Sequence, residues 1–489
     1  ANNNSSVNIA NSLFTGNLAP NGAEIENFLD SSTFTHSGVN LFGDSSNNNA
    51  AAFIYFTPDV GDIAATSDGT NPTALASILS PLADNGGPTQ THALPAGSPA
   101  LNAADGTVCT TAPVNSQDQR GLARSALCDI GAYEFQTAAA TITVNSASDT
   151  SGGIDCTLRD AILSVNNTVA VGGCVAGGDE GVDNIVFADD LATTITLSSA
   201  LPNITSALSI DGQGLTIDAD GTARVLTVYG ASLELNNLNL TGGSAFAGGG
   251  IAAIGGAEVS LRNSSVFGNY ASAGGGISAY GASSLHLSNC TVSGNSASNV
   301  GAGISVYGGS QLSLQNCTIS DNSANYYGGG IAADASDSVG LSNNLISGNR
   351  ASNGGNAIRN SGGAATITSY GFNLFGDSSY ANAEAFEFFN PGINDITATS
   401  DGTNPTALSS ILSPLADNGG LTLTHALHAR SPAIDAGDPA RCAAEPINNL
   451  DQRGEARDET CDIGSFEFSD TGNFYLIPLP NGKVVIIEL

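Results

Sequence analysis

The 489-residue sequence contains no Met and no Trp, and Lys483 is its only Lys. Schiff-base catalysis and P-loop phosphate binding both require a Lys, so a single Lys argues against either kind of site. No stretch approaches the ~20 continuous apolar residues that a membrane helix needs, so we expect no membrane span. Because Met is absent and no charged segment followed by an apolar run stands at Ala1, the sequence predicts a mature product or a piece of a longer protein.

Basic side chains are also scarce, with 12 Lys and Arg against 45 Asp and Glu and a net charge of −33. A charge of this sign and size repels nucleic acid and anionic lipid, and it attracts divalent cations weakly. We therefore expect no nucleic-acid partner. The composition leaves structural calcium open and indicates no other cofactor.

A short repeat of 26 to 27 residues runs through the middle of the chain. Gly-rich turns such as 328–330 separate segments such as 311–314, in which apolar and polar residues alternate as in a β-strand. The period is too short for a propeller blade and has no helical pattern, but it fits one coil of a parallel β-helix, where like residues stack in columns. Three apolar columns keep this spacing: Ile251, Ile277, Ile304, Ile331 and Ile358; Leu235, Leu261, Leu287, Leu314 and Leu341; and Leu240, Val266, Val292, Ile319 and Ile346.

A polar column keeps the same spacing, and two interpretations of it are open. The column consists of Asn237, Asn263, Asn289, Asn316 and Asn343. Amides stacked in register can hydrogen-bond to one another along the axis of the β-helix, and we favour such a ladder. The alternative is that Asn recurs because it tolerates left-handed turn geometry.

A longer repeat has a period of 333 residues. Two Cys and an Asp-Gln-Arg-Gly segment recur at this distance: Cys109, Cys128 and 118–121, then Cys442, Cys461 and 451–454. The chain thus opens in mid-repeat, with the back of one unit followed by a full unit. We expect five segments: the end of a first β-helix unit at 1–135, a cap segment at 136–192, coils at 193–375, a C-terminal segment at 376–468 and a hairpin tail at 469–489.

Three kinds of segment resemble those of known bacterial surface proteins. Residues 156–162 resemble the CSLREA segment that precedes many right-handed β-helices. The Ser-Gly-Asn coils at 293–295 and 347–349 are similar to polymorphic outer-membrane-protein repeats. Residues 118–134 and 451–467 look like the choice-of-anchor Q domain, although the first copy lacks a cap segment. The resemblance implies export and surface display, and it implies no particular reaction.

The predicted fold is all-β: a right-handed parallel β-helix of about 27 residues per coil in tandem 333-residue units, with a short helical cap and a disulfide-bonded C-terminal segment. The cap is predicted at 157–165, where Leu158, Ile162 and Val165 lie on one face of a helix. Thr157 provides a weak capping signal together with Asp160. Such a helix would cover the open first coil.

The eight Cys form four local pairs. We predict disulfides for three of them, Cys109 with Cys128, Cys156 with Cys174 and Cys442 with Cys461, because separations of 18 and 19 residues suit short closed loops. Disulfides indicate an oxidising compartment, and we expect an extracellular or bacterial cell-surface location. The fourth pair, Cys290 and Cys317, stands in one column of adjacent coils, where a bridge and a buried thiol pair are both open.

Carboxylates do not form a catalytic column in the predicted coils. Lyases and glycosidases built on β-helices need acids from adjacent coils converging on one face beside a basic group. The coils contain few acids, and none of them forms a column over three coils: Glu234, Glu258, Asp321, Asp334 and Asp337. Because there is also no Gly-x-Ser-x-Gly, we expect no enzyme activity. His92 and His425 occupy the same Thr-His-Ala-Leu place in both copies, which favours a packing or hydrogen-bonding role.

A calcium site is conceivable at two equivalent positions. Asp68 and Asp401 each begin an Asp-Gly-Thr-Asn-Pro segment that could supply acid and carbonyl oxygens. The same dipeptides are first of all turn formers, so the structural interpretation is the stronger one.

The C-terminal tail predicts a β-hairpin. Two apolar runs flank Asn-Gly at 481–482: Phe474, Tyr475, Leu476 and Ile477, then Val484, Val485, Ile486 and Ile487. The hairpin could pack on its own domain or insert into a neighbour. At the other end, the open coil is expected to expose Ile9, Leu13 and Ile25.

These two ends suggest head-to-tail pairing of copies through strand addition. The predicted function is a structural subunit of an extracellular fibre, sheath or surface layer. The alternative is a monomeric surface adhesin or glycan-binding β-helix protein.

Overall fold

The structure, a computed structural model, describes residues 6–19, 21–27, 33–125, 127–179, 181–469, 474–478 and 484–488. It divides into two compact units, unit 1 (Ala1–Ala138) and unit 2 (Ala139–Leu489). The finer division into five segments stays a prediction. No helix in the described ranges is long and apolar enough to cross a membrane.

Within its described residues, unit 1 contains short strands and three helical turns. The strands are β1 Ser6–Ala10, β2 Leu13–Phe14, β3 Ile25–Glu26, β4 Thr33–Ser37, β5 Leu41–Phe42, β6 Phe53–Ile54, β7 Ile63–Ala64, β8 Leu82–Ala83 and β9 Thr91–His92. The helices are α1 Asn49–Ala52, α2 Leu75–Ile78 and α3 Gly106–Thr110. Strands β1, β2 and β3 pair in parallel with β4, β5 and β6, so β1 to β3 form the first coil of the unit.

Unit 2 contains the remaining elements. Its strands are β10 Thr141–Val144, β11 Asp183–Phe187, β12 Thr194–Thr196, β13 Leu208–Asp211, β14 Thr216–Asp218, β15 Leu226–Tyr229, β16 Ser232–Asn236, β17 Asn239–Thr241, β18 Ser244–Ala247, β19 Ile251–Ile254, β20 Glu258–Arg262, β21 Ser265–Phe267, β22 Tyr270–Ala273, β23 Ile277–Tyr280, β24 Ser284–Ser288, β25 Thr291–Ser293, β26 Ser296–Val300, β27 Ile304–Tyr307, β28 Gln311–Gln315, β29 Thr318–Ser320, β30 Ser323–Ala324, β31 Ile331–Ala333, β32 Ser338–Ser342, β33 Leu345–Ser347, β34 Arg350–Ala351, β35 Ile358–Asn360, β36 Thr366–Ser369, β37 Leu374–Phe375, β38 Phe386–Glu387, β39 Ile396–Thr397, β40 Phe474–Pro478 and β41 Val484–Glu488. Its helices are α4 Leu158–Asn167, α5 Asn382–Ala385 and α6 Pro439–Ala443, with 3-10 turns at Ser361–Gly363 and Leu408–Ser410.

The strands of unit 2 stack into parallel sheets, as the 27-residue repeat predicts. The sheets have nine, nine, seven and five strands, and each pairs a strand with its equivalent in the next coil. Their orders are β10-β11-β13-β16-β20-β24-β28-β32-β36, β12-β14-β17-β21-β25-β29-β33-β37-β39, β15-β19-β23-β27-β31-β35-β38 and β18-β22-β26-β30-β34. The all-β parallel β-helix is therefore confirmed.

The three apolar columns line the interior in the predicted register. Ile277, for example, pairs with Ile251 on one side and with Ile304 on the other. Column members are almost fully buried because the alternation within each strand turns every second side chain inward. Each coil therefore extends one continuous apolar core.

The predicted Asn ladder belongs to a different column. Asn237, Asn263, Asn289, Asn316 and Asn343 have φ values between 49° and 56°, so they occupy left-handed turns and the favoured interpretation was wrong. The amide ladder runs instead through the Asn of the Ser-Gly-Asn segments and the equivalent Asn of the other coils. In this ladder the side-chain amides of neighbouring coils are 2.9 to 3.0 Å apart, through Asn269, Asn295, Asn322 and Asn349.

The helical cap forms where it was predicted. Helix α4 buries Leu158, Ile162 and Val165 in the same core as the first coils of unit 2. Thr157 accepts a hydrogen bond from the backbone N–H of Asp160, which satisfies one of the free donors of the first turn. The helix ends at Thr168 in a left-handed conformation.

Three disulfides join the predicted pairs, Cys109–Cys128, Cys156–Cys174 and Cys442–Cys461. Cys290 and Cys317 are free thiols in the interior, which decides between the two interpretations of that pair. Burial raises the pKa of the Cys317 thiol well above its usual value. Both side chains are part of the apolar core.

Candidate functional site: a flank, its clamp segment and an open groove

Residues 400–468, here called the clamp segment of unit 2, pack along one side of the coils. The side that they cover is the polar flank, a column of hydroxyl and amide side chains in consecutive coils: Asn239, Ser265, Thr291 and Thr318. Strand alternation places this column outside the apolar core, so its polar groups must be satisfied by another segment or by water.

Gln452 is the centre of the contact between clamp segment and flank. Its amide nitrogen donates to Ser265 Oγ at 2.9 Å, and its amide oxygen accepts from Thr291 Oγ1 at 2.7 Å. The same nitrogen contacts Thr422 Oγ1 at 2.8 Å within the clamp segment. Gln452 is 2% exposed, so these are buried hydrogen bonds between segments far apart in sequence.

Further contacts continue along the flank in both directions. The ring of His425 uses Nε2 toward Ser293 Oγ at 2.8 Å and Nδ1 toward the carbonyl oxygen of Ser413 at 2.7 Å. Ser465 donates to Thr318 Oγ1 at 3.0 Å. His425 is therefore a hydrogen-bonding residue of the contact, as its repeated place predicts, and burial lowers its pKa.

A buried ion-pair cluster holds the clamp segment in shape. Arg457 contacts the Glu467 carboxylate at 3.0 Å and donates to the carbonyl oxygens of Asp462 and Gly464 at 3.1 and 2.7 Å. Burial raises the pKa of Asp462 to about 7 and also raises that of Glu467. Every donor of this guanidinium faces an acceptor, including Asn289 of the coils at 3.3 Å, which points to a structural role.

Unit 1 contains the equivalent segment, residues 67–135, here called the clamp segment of unit 1. Its Arg124 contacts Glu134 at 3.0 Å and the carbonyl oxygen of Gly131 at 2.6 Å, as Arg457 does in unit 2. Burial raises the pKa of Asp129 to about 6. The internal architecture of the clamp segment therefore repeats along with the sequence.

Where unit 2 has coils, unit 1 has an open groove of about 790 Å³. The groove is lined by His92 and Gln119 of the clamp segment and by the turn at 10–14 of the first coil. Both His92 and Gln119 are exposed, whereas His425 and Gln452 are buried. A second opening of about 350 Å³ lies at the end of the first coil, beside Val7 and Phe34.

The side chains predicted to be exposed at the open coil are not. Ile9 and Ile25 are 4% and 7% exposed, and Leu13 is half-buried, so that part of the assembly prediction was wrong. The physical reason is a cluster of aromatic rings, including Phe42 and Phe53, which fills the end of the coil. What remains open, among the described residues, is one backbone edge of each of β1, β2 and β3.

The predicted hairpin is present as a pair of strands. Strand β40 pairs antiparallel with β41, with Tyr475 opposite Ile487 and Ile477 opposite Val485. Its Asn-Gly turn lies outside the described residues. In the part of the chain that the structure describes, β40 and β41 form a sheet only with each other.

The calcium candidates take part in turns. Asp68 accepts a hydrogen bond from the backbone N–H of Asn49 at 2.6 Å, and Asp401 does the same with Asn382. Across the described ranges, no three His, Cys, Asp or Glu side chains form a group that could hold a metal ion. Structural calcium stays an untested prediction.

The acids of the coils are dispersed. Glu234 stands beside Ser209 and Ser260 in neighbouring strands. Asp337 accepts from the backbone N–H groups of Gly309 and Ser310 at 2.9 Å, and burial raises its pKa. Asp337 thus closes a turn in the adjacent coil.

An aromatic stack on the outside of the coils was missed in the sequence. The rings of Tyr280 and Tyr307 are stacked with centroids 5.1 Å apart, and Tyr229 stands in the same column. Arg224, whose guanidinium donates to the carbonyl oxygen of Gly248 at 2.9 Å, lies near these rings. The 27-residue spacing of the two Tyr is the signal that could have revealed the stack.

Comparison with a protein-family model supports the fold. Residues 204–383 match the family described as right handed beta helix region, and with the parallel sheets this shows a right-handed β-helix. Among solved structures, the chain is similar to the crystal structure of pectate lyase Pel9A, at 15% identity and a TM-score of 0.35, over 68% of this chain and 96% of that chain. No curated protein matches. The resemblance to CSLREA, polymorphic outer-membrane-protein and choice-of-anchor Q segments stays a prediction.

Proposed function

We propose that the protein is a structural subunit of an extracellular fibre, sheath or surface layer on a bacterial cell. The observation that carries this proposal is a pair of strand edges without a pairing strand among the described residues: those of β1 to β3 in unit 1 and those of the β40–β41 hairpin. Three disulfides support an oxidising location.

Head-to-tail contact between copies follows from the two edges. A two-stranded hairpin is marginal on its own in water, so apolar strands such as 484–488 gain stability on another surface. Main-chain hydrogen bonds from a hairpin strand to the edge of β1 would supply affinity, and alternate side chains would set the register. The contact joins two different surfaces, so it repeats from copy to copy instead of stopping at a dimer.

Deletion of the hairpin tests the proposal. Purified intact chain should grow with concentration in light scattering and show elongated particles in negative stain. A variant lacking residues 472–489 should keep its circular dichroism spectrum and stay monomeric. A variant lacking only Leu489 retains both strands and serves as the matched control. Assembly of the deletion variant as good as that of the intact chain would contradict the hairpin joint.

A glycan-binding adhesin is the second candidate, and the tyrosine stack favours it. The stacked pair of Tyr280 and Tyr307 combines apolar ring surface with two phenolic hydroxyls. A glycan array with the intact chain and with Tyr280→Ala tests this candidate. Binding that the substitution abolishes in a monomeric protein would favour the adhesin over the fibre.

The proposal assigns no reaction to the protein. Its support is the dispersal of the acids, since Glu234 and Asp337 each face hydroxyl or backbone groups rather than a second carboxylate across the coils. Incubation with pectin, alginate and other acidic glycans, with and without Ca²⁺, is the test. New reducing ends or unsaturated uronates that disappear on substitution of a single Asp would overturn this part of the proposal.

A further inference from the structure

We propose that the groove of unit 1 is a docking site for the polar flank of a β-helix coil stack carried ahead of β1 on the same polypeptide. The coil stack would pack on the clamp segment of unit 1 in the same way that residues 213–342 pack on the clamp segment of unit 2.

Two residues that line the groove are equivalent to residues that form hydrogen bonds with the coils in unit 2. Gln119 corresponds to Gln452 and His92 to His425, each at a distance of 333 positions. Other hydrogen bonds between the clamp segment and the coils of unit 2 use main-chain carbonyl oxygens, such as that of Leu450, which accepts from the side chain of Asn289 at 2.9 Å. Because the main chain forms those hydrogen bonds, a different side chain at the equivalent position in unit 1 does not remove them.

The groove is already arranged for its occupant. The Nδ1 atom of His92 lies 2.7 Å from the carbonyl oxygen of Ser80, the contact that orients His425 in unit 2. The amide nitrogen of Gln119 donates to Thr89 Oγ1 at 2.8 Å, as that of Gln452 does to Thr422. In unit 2 the atoms equivalent to His92 Nε2 and to the amide oxygen of Gln119 contact Ser293 and Thr291 of the coils. Preorganised groups lose little conformational freedom on binding.

The first coil of unit 1 fixes where further coils would stand. Asn11 donates to the carbonyl oxygen of Asp105 at 2.9 Å, and its equivalent Asn343 contacts that of Asp438 at 3.3 Å. This coil is therefore docked on its clamp segment as in unit 2. Further coils paired in parallel with β1, β2 and β3 would continue the stack and bring their flank along the groove.

The other candidate occupants fit less well. In a second copy of the chain, the polar flank from Asn239 to Thr318 is already covered by that copy's own clamp segment. The hairpin supplies two apolar strands and no column of hydroxyl and amide groups to meet His92 and Gln119. Coils paired with β1, β2 and β3 would close those edges to a hairpin, so this proposal and the head-to-tail contact are alternatives for the same edges. Assembly is measured separately from occupation of the groove.

An extended chain tests the proposal. Residues 139–342 replace residues 1–10, so that strand 338–342 takes the place of β1 and unit 1 acquires coils and a helical cap in the register of unit 2. Modification of His92 by diethyl pyrocarbonate, mapped by mass spectrometry, reports on the groove. His428, which is exposed, and His425, which is buried, are internal standards for reactive and protected rings.

The expected result is that His92 reacts about tenfold more slowly in the extended chain than in the 489-residue chain, approaching His425. Thr291→Glu and Ser293→Glu in the added copy should restore its reactivity, because charged side chains cannot be buried on the groove. A shorter addition, residues 283–342, retains both positions and repeats the measurement if the longer chain does not fold. His92 that stays as reactive as His428 beside folded added coils would overturn the proposal. So would protection of His92 in the unextended chain at high concentration, which would assign the groove to a second copy.

Discussion

The Nε2 atom of His425 lies 2.8 Å from the hydroxyl oxygen of Ser293, a residue 132 positions earlier in the chain, and both are buried. Burial lowers the pKa of His425 from its usual 6.5. Below about pH 6.5, the unfolded chain binds a proton at His425 more strongly than the folded chain does. This contribution to stability is therefore present above pH 6.5 and is lost as the pH falls.

The first prediction concerns this histidine. The free energy of unfolding of unit 2 in the wild type, relative to that in His425→Gln, should fall between pH 8 and pH 5. The measurement is urea unfolding at a series of pH values. His92→Gln changes an exposed ring of unit 1 and is the matched control, in which unit 2 should unfold as in the wild type.

The second prediction has the opposite sign. Burial raises the pKa of Asp462 to about 7 and that of Asp129 to about 6, so the folded units hold protons that the unfolded chain releases near its usual value of 3.8. The associated stability is complete below about pH 4 and is lost as the pH rises through 7 in unit 2 and through 6 in unit 1. Unfolding of Asp462→Asn and Asp129→Asn should lose this dependence in the respective unit. Identical pH profiles of wild type and variants would contradict it.

The third prediction uses two residues that are equivalent in sequence and different in burial. Gln452→Ala removes one buried hydrogen-bond partner from each of the hydroxyls of Ser265 and Thr291, and it should lower the free energy of unfolding of unit 2 by about 1–3 kcal/mol. Gln119→Ala removes an exposed side chain and should change the stability of unit 1 by less than about 0.5 kcal/mol. Thermal unfolding followed by calorimetry measures both. Equal effects would mean that the flank contact adds nothing.

The fourth prediction separates the two Asn columns. Asn322→Ala removes the amide that links Asn295 and Asn349, and it should cost about 3 kcal/mol because buried donors and acceptors lose their partners. Asn263 has φ of 49°, so Asn263→Gly should be nearly neutral while Asn263→Ala costs about 1 kcal/mol. Urea unfolding gives all three values. A large cost for Asn263→Gly would restore the ladder to the turn column.

The fifth prediction concerns the cysteines. Cys290 and Cys317 should resist iodoacetamide in the native protein and react fully in denaturant, since both are buried. Peptide mapping without reductant should give three bridges. A fragment that joins Cys290 to Cys317 would contradict the structure at this point.

The coils could be predicted because every strand has the same alternation of apolar side chains that face inward and polar side chains that face outward. Ile277 and its column required only the spacing and the alternation of apolar residues. The two Asn columns have the same spacing. Asn263 differs from Asn295 in its backbone conformation, which the spacing in the sequence does not reveal. Burial of Ile9 depends on aromatic rings drawn from several turns of unit 1.

The flank contact was harder to predict, because it joins residues 132 to 187 positions apart that share no repeat. The repeated Thr-His-Ala-Leu place indicated that His425 has a structural partner, but it did not indicate Ser293. Only the fold shows that the clamp segment runs along the coils.

The clamp segment also changes how unit 2 comes apart. In a simple solenoid each coil contacts only its neighbours, so terminal coils can detach one at a time. Here Leu423 reaches Asn239 while Ser465 reaches Thr318, and the disulfide Cys442–Cys461 ties the segment between them. Detaching any of these coils first requires release of the segment that spans them all. Unit 2 should thus unfold as one cooperative body, and its refolding should be slow because these contacts close very long loops.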